Sequence, residues 1–385
     1  MKQAIAKTSL TPEEIIRYSR HLQLPEVDFA GQEKLKQSSV LIIGAGGLGN
    51  PVSLYLAAAG VGTIGILDFD KVDYSNLQRQ VIFGVHDVGK SKVRVAANRL
   101  TEINPLSNIQ VHECLLQSEN ATEIITNYDI VVDCTDNFPT RYLINDVCVK
   151  LMRPFIYGSI YRFDGQVSVF NFKGGPCYRC LYPKPPPPDL VPSCAEGGVL
   201  GVLPGIIGTL QANETLKVIL EIGDVISSRL VLFEALSMEF TEMKLKKDED
   251  CIVCSKSSEE ISFIDYNQFC QIKSKAVIGS VPEISVEELN QKLSEKDDIT
   301  IIDVRERYEL FISHIEGALH IPVSEIPSQL DALKYHPNLA ILCRSGIRSA
   351  RICEYLINQG FSNVKNISGG INDWCKKVDP SQRQY

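Results

Sequence analysis

The residues best suited to chemistry in this chain of 385 residues are among its twelve cysteines. Two C-x-x-C pairs, Cys177/Cys180 and Cys251/Cys254, have the spacing of zinc ligands. Two single cysteines, Cys194 and Cys343, lie in segments rich in glycine and serine, and we regard them as candidate reactive thiols. The other six lie in apolar or helical patterns and are predicted to be packing residues: Cys114, Cys134, Cys148, Cys270, Cys353 and Cys375.

The two C-x-x-C pairs together offer four thiolates, which is the ligand set of a structural zinc site. Because 70 residues separate the pairs, a shared metal would join the end of a domain to its middle. Two redox motifs or simple burial are the alternatives, although neither pair is followed by the βαβ pattern of a thioredoxin. We therefore predict one closed zinc site without a catalytic role.

Cys343 follows a predicted strand and opens a loop that leads into a predicted helix. Backbone N–H groups of such a loop can surround the sulfur, and the helix dipole and two arginines favour the thiolate over the thiol. A thiolate here would be a nucleophile and, once persulfidated, a carrier of sulfane sulfur. A buried thiol is the alternative. The C-x₅-R loop of cysteine phosphatases fits less well, because Ser349 stands where arginine would be needed. The loop consists of Cys343, Arg344, Ser345, Gly346, Ile347 and Arg348.

A second loop, with the pattern G-x-G-x-x-G, also follows a predicted strand and opens a helix. Glycines allow a tight turn and a close approach of the backbone to phosphates, whose charge the helix N-terminus favours. Asp68 ends the next strand, 19 residues beyond the loop, where an acid binds ribose hydroxyls. The pattern alone is typical of NAD or FAD enzymes, and a turn without a ligand is a further alternative. The glycines are Gly44, Gly46, Gly47 and Gly49.

The polar residues that follow suit a triphosphate better than a dinucleotide. Asn76, Arg79 and Lys92 are amide or cationic donors just beyond the edge of the predicted sheet. Asp136 and Asn137 follow another strand, so their side chains are expected in the same crevice. An acid among phosphate-binding cations is typical of a Mg²⁺ ligand. Each residue alone would be a solvated polar group, but together they predict an ATP site.

The elements that must position these residues alternate between strands and helices, which predicts an α/β fold with a mostly parallel, Rossmann-like sheet. Residues 154–170 predict an antiparallel excursion, and the proline-rich residues 183–192 predict an exposed crossover loop. The pattern is lost in a charged, serine-rich stretch and then restarts as a smaller α/β domain. We therefore predict domains at residues 10–255 and 281–385, joined by a linker at 256–280.

Composition restricts the class of protein. Hydrophobic residues make up 44% and charged residues 22%, which is typical of a globular chain. The net charge of −8 argues against nucleic acid or an anionic membrane as the main partner. The sequence shows no apolar segment typical of a signal peptide or a membrane span. We expect a cytoplasmic protein, in which cysteines rarely form structural disulfides.

Four segments closely resemble the MoeB/ThiF branch of the ubiquitin-activating-enzyme superfamily: GAGGLGNPVSLYLAAAGVG, LDFDKVDYSNLQRQ, GKSK and DCTDN. The resemblance covers about residues 10–255 and implies adenylation of a protein carboxylate by ATP. It implies that Gly47 contacts the nucleotide, that Asp68 holds the ribose and that Asp136 coordinates Mg²⁺. It also implies that the phosphates are bound by Asn76, Arg79 and Lys92.

The same resemblance has three further implications. The four paired cysteines would bind a structural zinc ion. Arg20, in the segment RYSRHLQLP, would reach into the site of a neighbouring protomer, which implies a homodimer. Cys194, in VPSCAEGGVLG, would lie on a crossover loop near the adenylate and bond covalently to the carrier or to sulfur. Without the resemblance, Arg20 is an exposed helix residue and Cys194 an incidental thiol.

Residues 281–385 resemble a rhodanese domain, both in the loop at Cys343 and in the segments IIDVRE, with Asp303 and Arg305, and SHIEGALHIP. Glu316 departs from the proline that rhodaneses often have, but it lies outside the sulfur-binding loop. The two resemblances together predict that the chain adenylates the C-terminal Gly-Gly of a ubiquitin-like sulfur carrier. A persulfide on Cys343, loaded by thiosulfate or a cysteine desulfurase, would then convert the carrier to a thiocarboxylate.

The choice of carrier and two rival functions stay open from sequence. A MoaD-like carrier and molybdenum cofactor synthesis are favoured, with thiamine, cysteine and tRNA thiolation as alternatives. One rival is an activating enzyme for ubiquitin-like conjugation, with a thioester on Cys194. The other is a nicotinamide- or flavin-dependent oxidoreductase, which the glycine pattern alone would suggest.

Overall fold

The computed structural model describes residues 8–186, 198–270 and 281–385. The chain divides into two compact units, Met1–Ile272 and Lys273–Tyr385, and each has its own hydrophobic core. Among the described residues, no helix combines the length and the apolar character needed to cross a bilayer.

Eight strands of the first unit form one sheet: β1 (Ser39–Ile43), β2 (Thr63–Leu67), β3 (Asn108–His112), β4 (Ile130–Asp133), β5 (Phe155–Tyr161), β6 (Asp164–Phe170), β7 (Arg229–Glu234) and β8 (Glu239–Lys244). Their order in the described part of the sheet is β3-β2-β1-β4-β5-β6-β7-β8. The first five in this order are parallel, whereas β6, β7 and β8 are antiparallel. The predicted Rossmann-like sheet with an antiparallel excursion is therefore confirmed.

Helices cover both faces of this sheet. They are α1 (Pro12–Arg17), α2 (Ser19–Leu22), α3 (Asp28–Gln37), α4 (Gly49–Ala59), α5 (Lys92–Ile103), α6 (Ala121–Ile125), α7 (Phe138–Lys150), α8 (Tyr178–Leu181), α9 (Leu203–Leu220) and α10 (Tyr266–Phe269). Strand β1 shows why two layers form: Val40 and Ile42 pack with α4 and α9, whereas Leu41 and Ile43 pack with α6 and α7. Successive side chains of a strand point to opposite faces, so an entirely apolar strand requires cover on both.

The first part of the predicted linker, residues 256–280, packs against the first unit in the structure. Ile261, Phe263, Tyr266 and Phe269 pack against the cores of the first unit, although the segment has no sequence periodicity. The Tyr266 hydroxyl also donates to the buried carboxylate of Asp146 at 2.9 Å. Short irregular segments can bury scattered aromatic residues without a repeating pattern, so a search for periodicity misses them. Residues 271–280 lie outside the described part of the chain.

The second unit is a smaller parallel α/β layer structure. Its strands are β9 (Glu283–Ile284), β10 (Thr300–Asp303), β11 (Leu319–His320), β12 (Leu339–Leu342) and β13 (Val364–Ile367). They pair in the order β11-β10-β12-β13-β9. Its helices are α11 (Val286–Ser294), α12 (Leu330–Leu333), α13 (Ile347–Asn358) and α14 (Gly370–Lys377). The two central strands, β10 and β12, are apolar on both faces and place their carboxyl ends side by side.

Short 3₁₀ helices complete the described elements. Tyr74–Asn76 and Val85–Asp87 lie in the first unit, between β2 and α5. Arg307–Phe311 and Val323–Gln329 lie in the second unit, after β10 and β11 respectively. The first and third of these carry side chains of the two sites described next.

Candidate functional site

The loop at residues 44–49, here called the glycine loop, joins β1 to α4 and packs tightly at both ends. Gly44 has a φ of +102°, and a Cβ there would lie 2.5 Å from the carbonyl oxygen of Cys134. A Cβ on Gly49 would lie 1.9 Å from the carbonyl oxygen of Gly44. At Gly46, by contrast, a Cβ would meet nothing closer than 3.6 Å. Packing therefore explains the outer glycines, and a Cβ on Gly47 would lie 3.0 Å from Pro204, so the open position of the loop is Gly46.

Asn50, on the first turn of α4, holds the glycine loop from behind. Its side-chain nitrogen donates to the carbonyl oxygens of Ala45 (3.0 Å) and Gly46 (2.9 Å). Its side-chain oxygen accepts from the N–H of Ile82 at 2.9 Å. This buried amide thus connects the loop to the segment that carries Arg79. Asn50 was not predicted from the sequence, because a single asparagine in an apolar helix does not indicate which distant residue it contacts.

Asp68 and Lys92 lie at the carboxyl end of the parallel strands, next to the glycine loop. One carboxylate oxygen of Asp68 accepts from the N–H of Ala45 at 2.8 Å, and the other accepts from the N–H of Asp70 at 2.8 Å. Lys92, which is largely buried, forms an ion pair with Asp70 at 2.9 Å. The structure therefore brings the predicted ribose-binding acid and a predicted phosphate-binding cation to one edge of the sheet.

Asn76 and Arg79 lie on the segment that follows β2. The Asn76 side chain accepts from the N–H of Asp73 at 3.1 Å and closes the 3₁₀ turn Tyr74–Asn76. Arg79 donates to the carbonyl oxygen of Ser75 at 3.1 Å. A Cβ on Gly47 would lie 3.8 Å from Cδ of Arg79, so this arginine and the glycine loop are neighbours. The turn holds Arg79 beside the open part of the loop.

Asp136 and Asn137 follow β4 and differ in their surroundings. The Asp136 carboxylate is exposed and, within the described residues, makes no hydrogen bond or ion pair. The Asn137 side chain caps α7 by accepting from the N–H of Thr140 at 3.0 Å. Asn137 therefore has a structural role in this chain, whereas Asp136 offers a free carboxylate of the kind that Mg²⁺ prefers.

A buried ion pair lies beneath this turn. Arg141 donates to Asp133 at 2.8 Å and to the carbonyl oxygen of Thr135 at 2.9 Å. The other carboxylate oxygen of Asp133 accepts from the N–H and the hydroxyl of Thr135. These contacts fix the backbone immediately before Asp136.

The described residues do not test the roles predicted for Arg20 and Cys194. Arg20 is exposed on α2, where its side chain lies 3.4 Å from that of Gln23. Cys194 lies outside the described residues. Both predictions therefore remain predictions.

The four paired cysteines meet in one cluster. Their sulfur atoms all lie within 4.8 Å of one another, with separations of 3.8 Å for Cys177–Cys180, 3.6 Å for Cys177–Cys251 and 3.4 Å for Cys180–Cys254. Tetrahedral Zn–S bonds of about 2.3 Å place sulfur atoms about 3.8 Å apart, so the cluster fits zinc. The N–H of Asp248 also donates to the sulfur of Cys180 at 3.5 Å, as outer partners of metal ligands do.

Residues 343–348, here called the sulfur loop, join β12 to α13 and enclose the thiol of Cys343. Only 1% of this residue is exposed. The N–H of Gly346, whose φ is +89°, donates to the sulfur at 3.1 Å. The loop is held by α14, because the N–H groups of Ile371 and Asn372 donate to the carbonyl oxygens of Cys343 (2.8 Å) and Arg344 (3.2 Å). The sulfur atom of Cys343 therefore has a fixed position.

Ser349 provides a second hydrogen-bonding group at the sulfur. Its hydroxyl oxygen lies 3.1 Å from the sulfur of Cys343 and 2.6 Å from the side-chain oxygen of Asn366. Because a hydroxyl has one hydrogen, Ser349 donates to only one of these at a time. The sequence analysis used Ser349 only to argue against a phosphatase. Its position on the first turn of the helix after the loop is the signal that would have identified it.

The two arginines of the sulfur loop have different partners. Arg348 makes a two-pronged ion pair with Glu309, at 2.8 and 2.7 Å, and this raises its pKa. Burial opposes ionisation of Glu309, but Arg348 and the backbone of Glu306 outweigh it, so the pKa of Glu309 is lowered. The guanidinium of Arg344 instead lies over the ring of Tyr385, 5.0 Å from its centroid.

Asp303 and Arg305, from the segment that resembles a rhodanese, form an ion pair beneath these residues. Arg305 donates to both carboxylate oxygens of Asp303, and it also reaches the carbonyl oxygen of Ser313 at 2.9 Å. The pair is buried and joins the end of β10 to the segment that precedes β11. Its role is to hold the segment that carries Glu309.

Comparisons with known proteins agree with this division into two sites. The sequence model of the ThiF family matches residues 18–253, and that of the rhodanese-like domain matches residues 285–377. The chain is 44% identical to the probable adenylyltransferase/sulfurtransferase MoeZ of Mycobacterium tuberculosis, over 98% of this chain and 97% of that protein. It is 41% identical to the adenylyltransferase and sulfurtransferase MOCS3 of Drosophila yakuba, over 97% and 86% of the two chains.

Solved structures show a similar fold over more than half of this chain. MccB of Escherichia coli, crystallised with ATP, matches with a TM-score of 0.55 and 24% identity, over 62% of this chain and 73% of that chain. A second crystal structure of MccB, with the ligand MccA-N7isoASN, matches with a TM-score of 0.55 and 23% identity, over 64% and 76%. On these findings the chain belongs to the ThiF family, and a rhodanese-like domain follows its ThiF domain.

Proposed function

We propose that this chain is an ATP-dependent adenylyltransferase and sulfurtransferase that acts on a ubiquitin-like sulfur carrier ending in Gly-Gly. The observation that carries the proposal is the presence, on one chain, of an open glycine-loop crevice with nearby cations and a loop that encloses a cysteine thiol. The names of MoeZ and MOCS3, which include both activities, support this combination.

The first step is the formation of an acyl-adenylate. A carboxylate oxygen of the carrier attacks the α-phosphorus of ATP, and pyrophosphate leaves, so the step requires no covalent enzyme nucleophile. Catalysis then depends on position and on neutralising phosphate charge. Asp68 would hold the ribose, and the phosphates would be bound by the backbone at Gly46 and Gly47 together with Asn76, Arg79 and Lys92.

Two metals belong to the proposal. Asp136 would hold Mg²⁺, which neutralises phosphate charge when bound. Cys177, Cys180, Cys251 and Cys254 would hold zinc, which joins residues 251–254 to the middle of the domain. We expect about one zinc per chain by elemental analysis, and a lower unfolding temperature after chelation. Retention of the unfolding temperature in a metal-free preparation would contradict a structural zinc.

The second step is sulfur transfer through Cys343. The terminal sulfur of a Cys343 persulfide attacks the acyl carbon, AMP leaves, and an acyl disulfide links the carrier to the enzyme. A second thiolate then attacks the Cys343 sulfur. This releases the carrier thiocarboxylate and leaves a disulfide, which an external dithiol reduces. Cys194 is our proposal for the second thiolate.

The proposal also specifies partners. The persulfide would come from thiosulfate or a cysteine desulfurase, and a MoaD-like carrier of molybdenum cofactor synthesis is our preferred substrate. Arg20 would complete the nucleotide site of the other protomer in a homodimer. None of the eleven described cysteines forms a disulfide, which is consistent with a reducing cytoplasm.

The direct test is the intact mass of a Gly-Gly carrier after incubation with this protein, Mg-ATP and thiosulfate. We expect the mass shift that accompanies replacement of one carboxylate oxygen by sulfur. Omission of ATP should abolish the shift.

The same experiment with Cys343→Ala separates this function from its main rival. Loss of the shift in this variant would support transfer through the sulfur loop. A thiol-labile carrier–enzyme adduct that forms equally well without Cys343 would instead support an activating enzyme for conjugation, with its thioester on another cysteine.

A further inference from the structure

A segment beyond the matched rhodanese-like domain contacts the sulfur loop. The family match ends at residue 377, yet Tyr385 lies against the loop. The hydroxyl of Tyr385 donates to Glu309 at 2.7 Å and accepts from Arg305 at 2.9 Å. Its ring supports the guanidinium of Arg344.

The backbone of Tyr385 is tied to the same place. The side chain of Asn372 donates to the carbonyl oxygen of Tyr385 at 3.2 Å and accepts from its N–H at 3.4 Å. The backbone N–H of Asn372 meanwhile donates to the carbonyl oxygen of Arg344. Asn372 of α14 therefore bonds to Tyr385 through its side chain and to the sulfur loop through its backbone.

The two arginines of the sulfur loop therefore differ in how their charge is balanced. Glu309 already neutralises Arg348, and Tyr385 strengthens that arrangement through its hydroxyl. Arg344 faces an uncharged aromatic ring, so its positive charge is not cancelled by that contact. Arg344 also directly follows Cys343 in the sulfur loop.

We propose that Tyr385 is a positioning residue for sulfur transfer, which holds Arg344 in place to bind the anionic sulfur donor. The inference rests on the proposed sulfurtransferase function. The ring of Tyr385 supports Arg344, whereas its hydroxyl stabilises the fold through Glu309 and Arg305. The geometry assigns no contact with the reacting sulfur to Tyr385 itself.

The test uses the full chain, with thiosulfate as donor and cyanide as acceptor. The Cys343 thiolate takes the outer sulfur of thiosulfate and releases sulfite, and cyanide then removes that sulfur as thiocyanate. For Tyr385→Leu we expect the KM for thiosulfate to rise about five- to tenfold, the scale of a lost cation–π contact, with kcat within about twofold. Tyr385→Phe keeps the ring and should keep KM within about twofold, while its unfolding temperature falls.

Two control variants separate positioning from general attachment of the segment. Gln382→Ala removes the contact of this segment with the N–H of His314 but touches neither arginine of the loop. Tyr335→Leu changes an exposed tyrosine of the same unit. Both should keep the wild-type KM.

An equal rise in KM for Gln382→Ala and Tyr385→Leu would overturn the proposal, and so would an unchanged KM for Tyr385→Leu. An equal rise for Tyr385→Phe would show that the ring is not the supporting group. Absence of thiocyanate with the wild-type protein would instead count against the proposed function itself.

Discussion

The glycine loop and the sulfur loop share one strand–loop–helix construction, but they differ in the groups that they surround. Each follows a buried parallel strand and opens a helix. The glycine loop leaves room at Gly46, has Arg79 beside Gly47 and is linked through Asp68 to the ion pair of Asp70 with Lys92. The sulfur loop instead encloses an atom of its own chain, the sulfur of Cys343, with donors from Gly346 and Ser349. One loop is suited to a diffusible anion and the other to a covalently attached one.

The two loops are held in position by different sets of contacts. In the glycine loop, position depends on contacts between distant segments, such as Asn50 with Ile82 and Asp68 with Ala45. In the sulfur loop, the thiol of Cys343 accepts hydrogen bonds from residues within six positions of it, and α14 holds the loop backbone. Substitutions should therefore separate the two half-reactions cleanly.

The largest effect should come from Cys343→Ala. Because the sulfur carrier itself is lost, we expect thiosulfate sulfurtransfer to fall at least about 1,000-fold. Carrier-dependent ATP–pyrophosphate exchange should stay within about twofold, since the glycine loop lies in the other unit. Cys353→Ala, at a buried packing thiol of the same unit, is the control and should retain sulfurtransfer. A parallel loss of exchange in Cys343→Ala would show that the two loops do not act separately.

Arg79→Ala should have the opposite pattern, with loss of pyrophosphate exchange and retention of sulfurtransfer. Loss of one phosphate-binding cation should reduce pyrophosphate exchange by about 2–4 kcal/mol of transition-state stabilisation, or about 30- to 1,000-fold. Thiosulfate sulfurtransfer should not change. Arg94→Ala removes an exposed arginine that pairs with Glu113 in the same unit, and it should leave both activities intact. Equal exchange rates in the two variants would remove Arg79 from the site.

The two loops also show what sequence can and cannot reveal. Both were predictable because a strand, a short loop with characteristic residues and a helix are contiguous in sequence. The four-cysteine cluster was predictable for a different reason, since zinc ligands come in closely spaced pairs.

The contacts that hold these loops were not predictable in the same way. Asn50 bonds across 32 residues to Ile82, and Arg348 bonds across 39 residues to Glu309. Neither side chain differs locally from an ordinary helix residue. Packing of residues 256–270 was also missed, because its apolar residues follow no period.

A smaller effect is expected for Ser349→Ala, which tests whether the sulfur loop depends on side-chain donors as well as on its backbone. Loss of a hydrogen bond to a charged group weakens an interaction by about 1.5–3 kcal/mol. The alternative partner Asn366 shares the hydroxyl, so we expect the lower end, about a tenfold fall in kcat/KM for thiosulfate. Ser345→Ala, at an exposed position of the same loop, is the control. A fall below twofold would mean that the backbone alone holds the sulfur.

The smallest effect on rate is expected for Glu309→Gln. Glu309 pairs with Arg348 and does not touch the sulfur of Cys343, so sulfurtransfer should change by less than about threefold, or about 0.7 kcal/mol. A much larger fall would show that the ion pair itself shapes the loop around Cys343.

The ion pair of Arg348 with Glu309 should also make the stability of the second unit depend on pH. The pKa of Glu309 is lowered from its ordinary value of 4.5, so its ionised form stabilises the fold above that value. This contribution is lost as pH falls through the lower, folded-state pKa, because protonation breaks the pair with Arg348. Unfolding temperatures measured from about pH 7 down to pH 3 should therefore fall more steeply below pH 4.5 in the wild type than in Glu309→Gln. Glu325→Gln, at an exposed position, should follow the wild type. Parallel curves for wild type and Glu309→Gln would mean that the ion pair contributes no net stability to the fold.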